Sequence, residues 1–174
     1  MSFSAKTKEE LSRRLPAARH CRLAELAAFI SICGIYSIRL DGRIFLVFQT
    51  ENLSAARKLF LLLQQTFRIC PDAAASGSER GRVYTLALRE QEDVTRVLKA
   101  TGFLQDNGAL RDLSMPVSSL MLEKECCRRS FLRGAFLSSG SLSNPEKSYH
   151  LELVSLQEEK AEQLRNVLTA LPAP

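Results

Sequence analysis

The sequence predicts an α+β fold of two pseudo-symmetric α-β-β-α-β-β-α repeats, the second incomplete, and three observations predict it. Helical and strand periodicities alternate along the chain in that order. Asp41-Gly42 joins two β-branched and aromatic runs, the strongest short hairpin signal. The piece LAAFISICG (26–34) lies against LRGAFLSSG (132–140): both open on Leu, carry small residues where two helices can touch, and end in Gly.

Taken in order, a short N-terminal helix within residues 1–19 is expected to start at Thr7, with Glu10 completing a capping box, and to stop at Pro16. Residues 20–104 form the first repeat. RHCRLAELAAFISICG places Leu23, Leu26, Ala27, Ile30 and Cys33 at helical spacing and ends in Gly34 as a C-terminal cap. IYSIRL and RIFLVFQT form the first hairpin. ENLSAARKLFLLLQQTF returns to helix, starting near Asn52 or Ser54, with Leu59, Phe60, Leu62, Leu63 and Phe67 on its apolar side and Arg57-Lys58 on its wet face. RICPDAAAS and GRVYTLALRE follow as strands turning at Ser76-Gly77, and a third helix spans 91–104, ending at Gly102. QDNGALRDLSMPV, with Gly, Pro and no period, falls in a linker at 105–119.

Residues 120–174 repeat the pattern in part: a helix ending in Gly140, a hairpin turning at Asn144-Pro145, and the helix QEEKAEQLRNVLTAL. In this hairpin Tyr149, Leu151 and Leu153 should face the core, and His150 and Glu152 outward. Arg128 and Arg129 are read as covering the helix surface, and Arg133 as leaning out of the helix pair. Two such helices cross at close range only over small residues. The expected repeat-helix interface is therefore Ala27, Ala28, Ser31 and Gly34 against Gly134, Ala135, Ser138 and Gly140.

Composition limits the function. The net charge of +5 permits contact with nucleic acid without requiring it. No apolar run reaches the roughly 20 residues that span a bilayer, and the polar N-terminus lacks a signal-peptide core, so a cytoplasmic location is expected and a membrane partner is not. The five cysteines, with no CxxC pair, read as reduced apolar residues. Adjacent Cys126 and Cys127 on a helix point about 100° apart, and no second pair completes a site. His20-Cys21 fails for the same reason. No metal, other cofactor or small-molecule substrate is expected.

With these residues in view, the chain resembles the LAGLIDADG homing endonucleases and, more closely, the WhiA family of bacterial sporulation and cell-division regulators, whose N-terminal part is a degenerate domain of that kind. The likeness rests on SFSAKTKEELSR, AELAAFISICG, TENLSAARKLF and above all CCRRSFLRGAFLSSGSLSNPEKSYHLELV. It implies a saddle whose curved sheets sit over DNA. In the active endonucleases the acid before the final Gly of each motif holds a divalent metal; Cys33 and Ser139 stand in those places, and neither a thiol nor a hydroxyl suits magnesium. Glu25 sits about 12 Å up the helix from Cys33 and cannot substitute. The resemblance thus implies no enzyme, but a DNA-binding transcriptional regulator of sporulation or cell division associated with the nucleoid. Its partner would be double-stranded DNA, contacted through Arg39, Arg43, Arg82, Arg89, Lys147 and His150 in or beside strands. The alternative is an interaction scaffold for the transcription machinery or another regulator. The second repeat stops at LTALPAP, so its last hairpin and helix, and the family's C-terminal helix-turn-helix, are expected to be absent. That would leave a sheet edge unpaired.

Overall fold

The computed structural model describes residues 1–172; the last two positions of the second repeat, expected to run to 174, lie outside the described residues. Helix α1 (Phe3–Ser12) opens the chain. Its cap is Ser2, whose Oγ accepts from the Ala5 N–H at 3.1 Å. Thr7, expected as the cap, lies inside the helix and donates to the Phe3 carbonyl at 2.9 Å. Ser2 offers the same capping oxygen earlier in the chain, and in the added turn Ser4 Oγ accepts from the Leu142 N–H at 3.2 Å, tying it to the second repeat.

Two helices form the spine. Helix α2 (Arg19–Cys33) and helix α5 (Glu125–Ser139) are each 15 residues long and pack on each other. Gly34 and Gly140 end them in extended backbone, at φ −83° and −90°. Neither glycine is there for a left-handed turn. A Cβ on Gly34 would lie 2.4 Å from the Ile30 carbonyl oxygen, and one on Gly140 2.4 Å from the Phe136 ring. Close approach of the departing strand to the last helical turn excludes a side chain.

Strands β1 (Gly34–Ile38) and β2 (Ile44–Thr50) pair antiparallel, with Gly42 at φ +85° in the turn. Helix α3 (Leu53–Phe67) follows, its Asn52 cap accepting from the Ala55 N–H at 2.9 Å. Strands β3 (Asp72–Ser78) and β4 (Gly81–Leu88) complete a sheet of order β1-β2-β4-β3, and helix α4 (Gln91–Ala100) ends the unit. The β3–β4 turn is at Glu79-Arg80, not Ser76-Gly77, and residues 68–71 are not strand. Gly77 sits within β3 at φ +95°, where a Cβ would fall 2.1 Å from the Gly81 carbonyl oxygen. Its glycine signal marks a close strand crossing rather than the turn.

The segment expected as a linker is folded onto the protein. The Arg111 N–H donates to the Phe103 carbonyl at 2.7 Å, the Tyr36 hydroxyl to the Arg111 carbonyl at 3.0 Å, and Gln163 bonds both backbone groups of Val117. After α5, strands β5 (Gly140–Leu142) and β6 (Leu151–Leu153) form a two-stranded sheet, and helix α6 (Glu158–Ala170) follows. The expected core position of Tyr149 does not hold: it is 93% exposed, and Leu151 is exposed too, because so short a hairpin has no second layer over its face. The main core runs between the spine, α3 and the inner face of the four-stranded sheet, through Leu26, Ile30, Leu46, Phe48, Leu62 and Leu86.

Candidate nucleic-acid interface

The spine fixes where the two repeats meet. Ala27, Ala28, Ser31, Gly134, Ala135 and Gly140 are buried, and Gly34 and Ser138 half-buried. A Cβ on Gly134 would stand 2.6 Å from the Glu25 carbonyl oxygen and 2.9 Å from the Ala28 Cβ, so the helices touch backbone to backbone there.

At the C-terminal ends of the spine lie the positions where a metal-dependent nuclease would carry acids. Cys33 is half-buried, and burial pushes its thiol pKa up, against a hydrogen bond from Ser138 and the charge of Lys8. The Ser139 hydroxyl donates back to the Ala135 carbonyl at 3.4 Å. Two lysines occupy the surroundings. Lys8 lies over the Phe136 ring at 5.5 Å, and buried Lys160 donates from Nζ to the Ser31 carbonyl at 2.7 Å, answering the negative end of α2. Burial lowers the pKa of both amines. A cavity of about 830 Å³ opens here, lined by Gly34, Glu51, Ser139, Gln157 and Lys160 among others, with Glu51 as its one carboxylate among the described residues. The two amines repel a hard dication, and a neutral thiol and a neutral hydroxyl are poor ligands for it.

The outer face of the four-stranded sheet carries the arginines. Alternation along β2 and β4 sends Leu46, Phe48, Leu86 and Leu88 inward and leaves Phe45, Val47, Thr85 and Ala87 outward, with Ser37 opposite Phe45. Arg39, Arg43 and Arg89 share that parity and converge on one ring: their guanidinium carbons stand 5.0, 5.7 and 5.9 Å from the Phe45 centroid. Arg43 also pairs with Asp41 at 2.7 Å and Arg89 with Asp72 at 3.3 Å, all four side chains more than half exposed. A groove of about 520 Å³ runs across this patch between Ser37 and Thr85.

The other candidates lie elsewhere. Arg82 pairs with Gly77 on the opposite parity, so it faces the helix side of the sheet near the hairpin tip. Lys147 is exposed in the β5–β6 loop, and exposed His150 lies 3.6 Å from Glu152. Phe45, the platform of the arginine cluster, was not among the sequence candidates. Its signal was available, since Arg43, Phe45 and Val47 fall on one side of a period-two strand.

Two readings of charged residues on the helices do not hold. Lys58, expected on the wet face of its helix, is fully buried, and Arg133, expected to lean out, turns back to the spine. Lys58 Nζ lies 3.0 Å and Arg133 Nη1 3.4 Å from the two oxygens of Glu25, itself fully buried, and Lys58 also donates to the Leu11 and Arg14 carbonyls. A lysine stem is long enough to cross α3 and reach an acid on α2. Arg128 donates to the Leu122 and Glu123 carbonyls at 2.9 and 2.7 Å, covering the entry to α5. A second pair does stand beside Cys126-Cys127, contrary to expectation, because the fold brings His20-Cys21 there.

Sequence comparison finds the WhiA N-terminal LAGLIDADG-like domain over residues 19–104 and the WhiA LAGLIDADG-like domain over residues 128–173. Similar curated proteins include the "Probable cell division protein WhiA" of Lachnoclostridium phytofermentans, 40% identical over 98% of this chain and 55% of that protein, and that of Alkaliphilus oremlandii, 39% identical over 97% and 54%. The chain thus spans about half the length of these relatives. Among solved structures, full-length DUF199/WhiA from Thermatoga maritima matches with a TM-score of 0.67 at 24% identity, over 97% of this chain and 50% of that one. The homing endonuclease I-DmoI, solved in complex with DNA and manganese, matches with a TM-score of 0.57 at 10% identity, over 87% and 78%.

Proposed function

The chain belongs to the WhiA family, and from that premise we propose that it is a non-catalytic DNA-binding module of a regulator of cell division and sporulation, acting on double-stranded DNA in the cytoplasm. The single observation that carries this reading is the convergence of Arg39, Arg43 and Arg89 on Phe45, on the open face of the sheet. Guanidinium groups held on an aromatic platform meet phosphates bidentately without sequence preference. Their two aspartate partners are exposed and are given up at little cost when a phosphate arrives. The fold is shared with a protein solved in complex with DNA, which supports DNA as the partner. The ends of the spine support the non-catalytic part of this reading: Cys33, Ser139, Lys8 and Lys160 offer no pair of hard oxygen ligands for a catalytic dication.

Fluorescence anisotropy against a mixed-sequence duplex, at low and moderate salt with magnesium present and the products run on a gel, tests it. Binding that weakens steeply with salt and leaves the duplex intact is expected. No binding at low salt would turn the reading towards a scaffold that contacts the transcription machinery, and magnesium-dependent nicking would defeat the non-catalytic part.

A further inference from the structure

At the N-terminal end of the spine, opposite the end that holds Cys33 and Ser139, four metal-type ligand atoms meet. They are Nδ1 of His20 and the sulfurs of Cys21, Cys126 and Cys127, all within 4.8 Å of one another. From Cys21 to Cys33 the axis of α2 runs about 18 Å, so this cluster is remote from the positions of the nuclease acids. We propose that His20, Cys21, Cys126 and Cys127 form a structural site for a thiophilic d¹⁰ dication of the zinc class, which staples the two repeats together.

The nitrogen–sulfur distances fit a bound zinc. A tetrahedral zinc with bonds of about 2.3 Å to sulfur and about 2.0 Å to nitrogen sets N and S ligand atoms roughly 3.5 Å apart. His20 Nδ1 stands 3.3 Å from Cys127 Sγ, 3.4 Å from Cys21 Sγ and 3.8 Å from Cys126 Sγ. The three nitrogen–sulfur edges of that tetrahedron are therefore near their full lengths before any ion is added, and the three sulfurs lie within 4.8 Å of one another. Three thiolates and an imidazole are also the ligand set that favours zinc over magnesium or calcium.

The position of the ligands in the fold fits it as well. The alignment that sets Gly34 on Gly140 also sets His20 on Cys126 and Cys21 on Cys127. Each pair occupies the second and third residues of its helix, since α2 begins at Arg19 and α5 at Glu125. The two pairs thus face each other across the pseudo-twofold, each half supplying two ligands. Neither helix has a side-chain N-cap, Ala18 and Lys124 standing in those places. Cys21 and Cys127 are buried while Cys126 is exposed, which gives the ion an entry path from solvent. Adjacent residues on one helix cannot close a site alone, but two adjacent pairs on crossing helices can.

The test uses the whole chain, reduced and stripped of metal, titrated with Co²⁺ and then Zn²⁺. One equivalent of cobalt should bind with near-ultraviolet thiolate charge-transfer bands and visible tetrahedral d–d bands, and zinc should displace it. Zinc at about 100-fold above its Kd should raise Tm by roughly 5–10 °C. C126S, at the exposed ligand, should weaken zinc binding by more than about 100-fold, whereas C70S, at an exposed cysteine outside the cluster, should change nothing. The proposal is overturned if the folded chain, checked by circular dichroism, takes up no cobalt, if C126S binds as the wild type does, or if C70S removes the signal. Should C126S fail to fold, the intensity of the wild-type charge-transfer bands still decides: three coordinated thiolates support the site and fewer than three defeat it. A disulfide between Cys21 and Cys127 that persists under reduction would also defeat it.

Discussion

Glu25 and Lys58 have no exposure at all, yet they place opposite charges 3.0 Å apart between α2 and α3. Burial raises the pKa of the carboxyl and lowers that of the amine, and each partner opposes the other's shift. Replacing Lys58 with Met leaves Glu25 with Arg133 alone and should cost about 3–5 kcal/mol in urea unfolding. Combining it with E25L should cost less than the two single changes added, by at least ~1 kcal/mol in a double-mutant cycle, because neither charge is then stranded. Additive costs would show that the pair is not coupled. Tyr36 gives the pH dependence. Its hydroxyl donates to the Arg111 carbonyl at 3.0 Å, and burial, with Asp112 adding to it, pushes its pKa up to about 12. The folded state disfavours the phenolate, so the folded pKa lies above the unfolded value of about 10. The contribution to stability is complete below about pH 10 and is lost as pH rises through about 12. Two pH units correspond to ~2.7 kcal/mol, and partial exposure of Tyr36 reduces this. A phenolate absorbance titration of the wild type minus that of Y36F should give a difference curve centred near 12. A midpoint near 10 would remove Tyr36 as the cause.

At the scale of elements, the spine sets what each helix can tolerate. G134A gains about 1 kcal/mol of helix propensity but puts a methyl group 2.6 Å from the Glu25 carbonyl oxygen, an overlap that costs more than it returns because backbone must move. A net loss of about 1–2 kcal/mol is expected, read as a lower urea midpoint, and a midpoint at or above that of the wild type would mean that the helices separate freely. This contact was legible in the sequence, since the small residues and terminal glycines of LAAFISICG and LRGAFLSSG lie in register. So were the helix and strand order and the Asp41-Gly42 turn, where one local rule decides the outcome. What was not legible depends on choices between equivalent local signals or on partners far along the chain. Ser2 and Thr7 both cap helices, and what the added turn gains is a partner far along the chain, the Leu142 N–H that Ser4 accepts from. Gly77 reads as a turn until its strand neighbour, Gly81, is known. Lys58 reads as wet until Glu25 is set beneath it. The metal-type cluster escaped because its two halves are unremarkable doublets until α2 and α5 cross.

For the whole molecule, a net charge of +5 says little by itself; where the cations stand says more. Lys8, Lys58 and Lys160 are drawn into the helical layer to answer carbonyls, a carboxylate and a ring, and are not available to DNA. Arg39, Arg43 and Arg89 are gathered on the open face. If that face binds the duplex, replacing all three with Ala should lower affinity by a similar factor for every sequence tried. It should also reduce the slope of log K against log salt by about 2–3, one released counterion for each lost phosphate contact. Stability should change little, because the three side chains are exposed and their ion pairs are weak. R82A, on the other face of the same sheet, separates position from charge: it removes one cation as R39A does, but it should leave the salt slope unchanged. Equal effects of R82A and R39A would mean that DNA responds to the net charge of the chain and not to a surface, and the arginine patch would then lose its claim to be the interface.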